Sequence, residues 1–141
     1  MINKAKWDRL KNFLKVLPEH RFGMESWVFL EQNEVETMDV SVLDANPCGS
    51  KACLAGWTHY LEDPTTIMRG SWSFGLAAAN ILGLDRKTAA RLFACYIPAE
   101  DYMKDDFRTG RWDSDIEDEY EGSIAGAIAM MERIEQEEAC S

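Results

Sequence analysis

Apolar residues recur at helical spacing from the start of the chain. Trp7, Leu10, Leu14 and Leu17 fall at i, i+3, i+7 and i+10 with lysines on the other side, which predicts an amphipathic helix over residues 4–17. Asn3 stands where an N-cap belongs, and Pro18 ends the helix. The pattern then changes. Residues 26–31 and 37–43 are rich in β-branched and aromatic side chains, and the polar Gln32, Asn33 and Glu34 separate them. That predicts a small β-hairpin near residues 26–43, followed by a turn at Asn46-Pro47.

Helical spacing returns afterwards. A helix is expected over residues 51–62, capped by Ser50 and stopped at Asp63-Pro64. Residues 63–73 read as a surface loop, and the Ala-rich residues 74–82 as a helix. Gly83 suits a left-handed C-cap. Asp85 caps the next helix, whose apolar face is Ala89, Leu92, Phe93 and Tyr96, closed by Pro98. Residues 99–122 are acidic and irregular, with Phe107, Trp112 and Tyr120 as apolar anchors. A last helix begins at Ser123 and aligns Ile124, Ala127, Ile128, Met131 and Ile134. No linker, repeat or low-complexity tract interrupts this order. The expected architecture is mainly α: a single compact domain over residues 1–141, with about five helices and the small hairpin.

Composition supports a packed core. Apolar residues make up 46% of 141, with five Trp, six Phe and four Tyr, which excludes a disordered chain. No apolar run reaches membrane-spanning length. Met1-Ile2-Asn3-Lys4 leads into a charged pattern rather than an apolar signal core, so a cytoplasmic location is expected and Cys48, Cys53, Cys95 and Cys140 are expected as thiols. Net charge is −10 and unevenly spread. Residues 1–22 carry six Lys/Arg against Asp8 and Glu19, whereas residues 99–141 carry fourteen Asp/Glu against four Lys/Arg. The acidic half would repel nucleic-acid phosphates and attract a basic protein surface; a solvated face that keeps the protein soluble has the same composition.

The densest chemistry lies in Cys48-Gly49-Ser50-Lys51-Ala52-Cys53-Leu54-Ala55-Gly56-Trp57-Thr58-His59. With Ser50 as cap, Cys53 falls in the first helical turn, where unpaired amides favour a thiolate. It is therefore the nucleophile if the protein is a thiol enzyme or redox protein. His59 follows six residues on, a rotation of about 600°, so it cannot serve Cys53 as a base. A buried structural thiol is the simpler reading. Cys48, Cys53, His59 and Cys95 are weak candidates for a metal site, because the C-x4-C pair lacks a second short pair. A Cys48–Cys53 disulfide would close only a short loop. No cofactor is called for. Gly56 and Trp57 read as packing, the glycine letting a neighbouring helix approach beside the ring.

Two further segments imitate known sites. Residues 79–93 have helix-turn-helix spacing, with Arg86, Lys87 and Arg91 on the second helix, but an ordinary two-helix corner fits too and net acidity counts against DNA. The run from Asp113 opens like a calcium loop and then fails, with Asp118 where Gly is needed and Ile124 at the twelfth position. The same stretch still places ten acids in residues 98–121, interleaved with Tyr102, Phe107 and Trp112. Asp105, Asp106, Trp112, Asp113, Asp115, Glu117 and Asp118 are the expected partner-binding residues.

Phe22-Gly23-Met24-x-x-Trp27, then Cys48-Gly49-Ser50-x-Ala52-Cys53-Leu54-Ala55-Gly56-Trp57, then Leu82-Gly83-Leu84 and Leu92-Phe93, resembles a group of small phage- and prophage-type proteins. These carry a C-G-[ST]-x-x-C-x-x-G-W core and an L-G-L … L-F helix pair. The resemblance covers residues 22–97 and implies no catalytic residue. It implies a mobile-element setting, where small acidic proteins are often inhibitors of host defence nucleases or their complexes. The resulting expectation is a non-enzymatic inhibitor that engages a basic host protein or nucleoprotein complex through its acidic surface. It would make no membrane contact and no direct contact with nucleic acid. A Cys53-centred enzyme or redox protein and a helix-turn-helix DNA-binding protein are the alternatives.

Overall fold

Asn3 caps the first helix, α1 (Lys4–Val16), its Oδ1 accepting from the Lys6 amide at 3.3 Å. Such a cap contributes about 1 kcal/mol. Trp7, Leu10 and Leu14 are buried as their spacing predicts. Leu17 takes an extended conformation before Pro18, and a short 3₁₀ turn (Glu19–Arg21) follows. The computed structural model describes residues 2–24, 27–31, 34–67, 71–93 and 123–140.

The hairpin exists, but with different bounds. β1 (Val28–Leu30) pairs antiparallel with β2 (Val35–Thr37), Phe29 opposite Glu36. Strand character stops at Thr37 because Asp39 competes for the backbone. Its Oδ1 accepts from the Ser41 amide at 3.0 Å and from the Ser41 hydroxyl. A one-turn helix, α2 (Val42–Ala45), replaces the end of the expected second strand and buries Leu43.

A third strand takes the place of the expected start of the next helix. β3 (Ser50–Ala52) pairs antiparallel with the other side of β1, giving the order β2-β1-β3. Ser50 is therefore no cap. It is buried, and its Oγ donates to the Asn46 carbonyl at 2.7 Å. Helix α3 (Leu54–Glu62) begins one residue after Cys53, which occupies the N-cap position without a side-chain cap bond. Helix α4 (Ser71–Leu82) starts within the stretch expected as loop.

Gly83 ends α4 at φ 74°, and the Leu84 amide reaches back to the Ala79 carbonyl at 2.9 Å. This six-to-one bond is the Schellman pattern, which glycine closes without the Cβ penalty of a left-handed residue. Asp85 then caps α5 (Arg86–Phe93), its Oδ1 accepting from the Thr88 amide at 2.7 Å. Helix α6 (Ile124–Cys140) buries Ile124, Ala127, Met131 and Ile134 and keeps Ile128 half-buried. Among the described residues the protein is mainly α, with six α-helices around one hydrophobic cluster and a small sheet at its side. No described helix is long and apolar enough to cross a membrane.

Polar clips hold α6 down. Glu135 accepts from the Trp7 indole at 2.8 Å and from Lys11 at 2.5 Å. Burial pushes the Glu135 carboxyl up, but the bonds from Lys11 and Trp7 outweigh it and hold it below the usual range. Arg91 grips Glu137 through its two terminal guanidinium nitrogens, Nη1 and Nη2, at 2.7 and 3.1 Å. Glu19 accepts from the Ile124 amide at 3.2 Å and so reaches the start of α6.

Candidate functional site

The Cys-Gly…Gly-Trp segment runs along β3, across the Cys53 cap and into α3, at the centre of the core. Ala52 through His59 are buried without a break. The segment is a packing element whose residue types follow from what touches them.

Gly56 shows this most directly. A Cβ built there would lie 2.4 Å from the Trp27 carbonyl oxygen and 2.7 Å from the Ala52 Cβ. The close neighbour is thus the entry to β1 and the end of β3, where a neighbouring helix was expected. The same Trp27 carbonyl accepts from the Cys53 amide at 3.1 Å, fixing the start of α3 against the sheet. Trp57 fills the space beyond, its ring centre 5.2 Å from both a tilted Phe13 and an edge-on Tyr60, and its indole donates to the Arg21 carbonyl at 3.1 Å.

Arg21 is the organising residue that sequence reasoning missed. Its Nη2 donates to the Leu43 carbonyl at 2.7 Å and to Ser50 Oγ at 3.0 Å, and its Nε to the Ser50 carbonyl at 3.3 Å. Its guanidinium lies 5.2 Å from the centre of the Trp57 ring. One planar cation thereby ties the 3₁₀ turn, α2, β3 and α3 together. An arginine three residues after a helix-ending proline carries no local signal of that role, since its partners come from Leu43, Ser50 and Trp57.

The thiols separate. Cys48 is an exposed free thiol on the turn before β3, Cys140 is exposed at the end of α6, and Cys53 is fully buried. The short Cys48–Cys53 disulfide is therefore not formed. A nucleophile needs a partly accessible thiolate, and Cys53 has no solvent access. His59 also lies in the core, 3% exposed. Its Nε2–H donates to the Phe74 carbonyl at 2.8 Å, and its ring packs 4.3 Å from that of Phe74. The Cys48 turn is exposed while the Nε2 of His59 is committed to Phe74, so the weak metal candidates do not converge. No group of three metal-binding side chains occurs among the described residues. Cys95 lies outside the described residues.

If Cys53 is a core thiol, Cys53→Ser should cost about 1–3 kcal/mol through a hydroxyl in an apolar pocket. Thermal melts should show that loss, and any binding function should persist in the folded fraction. A fully stable Cys53→Ser protein without function would identify a nucleophile instead.

The helix pair α4–α5 has the corner geometry just described. Arg86 and Lys87 are exposed, but Arg91 is turned onto Glu137 of α6, which brings an acidic helix beside the would-be recognition helix. The expected partner-binding residues Asp105, Asp106, Trp112, Asp113, Asp115, Glu117 and Asp118 lie outside the described residues, as do the aromatic residues Tyr102, Phe107 and Tyr120 and the expected helix-face residue Tyr96. The described surface adds further acidity. Between Arg21 and Lys51 the chain has no Lys or Arg and carries Glu25, Glu31, Glu34, Glu36, Asp39 and Asp44. Glu34, Glu36 and Asp44 are exposed around the hairpin and α2, and Glu132, Glu137 and Glu138 are exposed along α6. No family model matches the chain, and no curated protein or solved structure matches it.

Proposed function

We propose that this protein is a non-enzymatic binding protein whose acidic surface engages a basic partner protein. The observation that carries this reading is where the reactive groups went. Cys53 and His59 are spent on the core, at 0% and 3% exposure, while carboxylates at Glu31, Glu34, Glu36, Asp44, Glu132, Glu137 and Glu138 stand exposed on the described surface. Carboxylates rimming aromatic anchors suit recognition of a cationic protein surface, and they speed encounter through long-range attraction. The resemblance to small phage- and prophage-type proteins favours a host defence protein or nucleoprotein complex as that partner, with the chain acting as its inhibitor in the cytoplasm.

The test is a capture experiment. The immobilised chain is exposed to host lysate at low salt, alongside a variant with Asp113, Asp115, Glu117 and Asp118 changed to Asn or Gln. The expected result is a basic protein retained by the parent and released as salt rises, with weaker retention by the variant. Equal retention by both would remove the reading.

The DNA-binding alternative has a separate test. Arg91 is engaged by Glu137, and the acidic α6 adjoins α5, so phosphate approach is opposed. Mobility shift with random duplex at low salt should show no complex up to micromolar protein. Salt-sensitive binding that Arg86→Ala and Lys87→Ala abolish would restore the helix-turn-helix reading.

A further inference from the structure

His59 is a titratable ring buried in the core with no carboxylate partner among the described residues. It sits on α3 against the first turns of α4, between the Phe74 carbonyl and the Phe74 ring. Phe74 in turn packs tilted against Trp27 at 5.2 Å, so His59, Phe74 and Trp27 form a continuous buried contact between α3, α4 and the entry to β1.

The charges on the surrounding elements are directed elsewhere. Helix α4 has no ionisable side chain along its whole length, and neither has β1. On α3 itself, Tyr60 donates to Asp44 and Glu62 pairs with Lys6 of α1. On the rest of α1, Lys4 pairs with Asp8, Lys11 with Glu135, and Arg9 and Lys15 are exposed. On β3, Lys51 lies over the Phe29 ring. On α5, Arg91 holds Glu137, while Arg86 and Lys87 are exposed. Asp63, which caps the end of α3, is exposed and accepts from Thr65. No carboxylate is paired with His59 among the described residues.

We infer that His59 is an acid-sensitive latch: its protonation separates α4 from α3 and opens the core at Phe74. The neutral ring needs only the donor bond it already makes from Nε2. Protonation keeps that bond but adds a second N–H at Nδ1 and a full positive charge inside an apolar contact. Such a charge is stabilised by a carboxylate or by water, and with no carboxylate paired among the described residues the supply is solvent admitted between the helices.

Burial pushes the imidazole below the ordinary histidine range, and the Phe74 carbonyl opposes this only in part. The unfolded or opened chain therefore takes up the proton first. The latch is fully closed above about pH 6.5 and weakens as pH falls from there toward the folded value. In that window the opening constant of the α3–α4 contact rises about tenfold per pH unit.

The experiment compares amide exchange in α3 and α4, corrected for the intrinsic pH dependence of exchange, in the parent and in His59→Gln. Glutamine keeps an N–H donor near the Nε2 position but does not titrate. His20→Gln, at an exposed site, serves as the control. The parent and His20→Gln should lose protection about tenfold per pH unit below pH 6.5, whereas His59→Gln should stay flat. A matching slope in His59→Gln would overturn the latch. If that variant does not fold, the imidazole titration of the parent decides by NMR: a His59 midpoint well below 6.5 with simultaneous changes at Phe74 and Trp27 supports the latch. A midpoint at or above 6.5 overturns it.

Discussion

Changing Gly56 to alanine should lower the melting temperature by about 10 °C, a loss of about 3 kcal/mol for a domain of this size. The new methyl would meet the Trp27 carbonyl at 2.4 Å and the Ala52 Cβ at 2.7 Å. Neither obstacle is the far end of a flexible side chain. One is the backbone at the entry to β1 and the other is a strand residue held in register by β1. Relief requires moving α3 away from the sheet, which would strain the bond from the Cys53 amide to the Trp27 carbonyl and loosen Trp57 under the Arg21 guanidinium. Gly49→Ala is the matched control, because a Cβ there meets nothing within 4 Å. It should melt within about 2 °C of the parent, consistent with an ordinary surface substitution. A Gly56→Ala protein as stable as Gly49→Ala would mean that the α3–sheet contact yields freely and does not organise the core.

The amphipathic spacing of α1 and α6 was legible because each packs one face on the core, and a 3.6-residue period records that directly. Caps were legible for the same local reason: Asn3, Gly83 and Asp85 act within four residues of themselves. The misreadings fall where a distant partner decides. Ser50-Lys51-Ala52 has no strand signature, and it becomes a strand because β1 offers an open edge to pair with. Ser50 resembles a helix cap in sequence, yet the Arg21 guanidinium and the Asn46 carbonyl claim its hydroxyl. Cys53 at a helix start suggests a reactive thiolate by local electrostatics alone, and only the packed neighbours show that no solvent reaches it. The latch at His59 was illegible because its partner is a backbone carbonyl fifteen residues away on another helix.

Neutralising Asp113, Asp115, Glu117 and Asp118 to Asn or Gln should leave the fold intact while slowing capture of a basic partner. The hydrophobic cluster of the described residues draws on α1 to α6 and the sheet, so the melting temperature should change little. The segment from Glu100 to Glu121 carries ten acids around Phe107, Trp112 and Tyr120. Like charges at that density repel one another, a cost that a purely structural loop has little reason to carry. On a partner surface the same charges raise the encounter rate. Their removal should therefore lower the association rate by roughly tenfold at low salt, and the difference should shrink as the Debye length falls below about 8 Å. Trp112→Ala should act on the other side of the equilibrium. A desolvated tryptophan anchor contributes about 2 kcal/mol or more, so its loss should raise the dissociation rate roughly thirtyfold with the association rate little changed. Surface-based kinetics over a salt series separate the two effects. If the neutralised variant associates as fast as the parent at low salt, the carboxylates serve solubility alone. The basic-partner reading then loses its electrostatic basis, even if Trp112→Ala still weakens the complex.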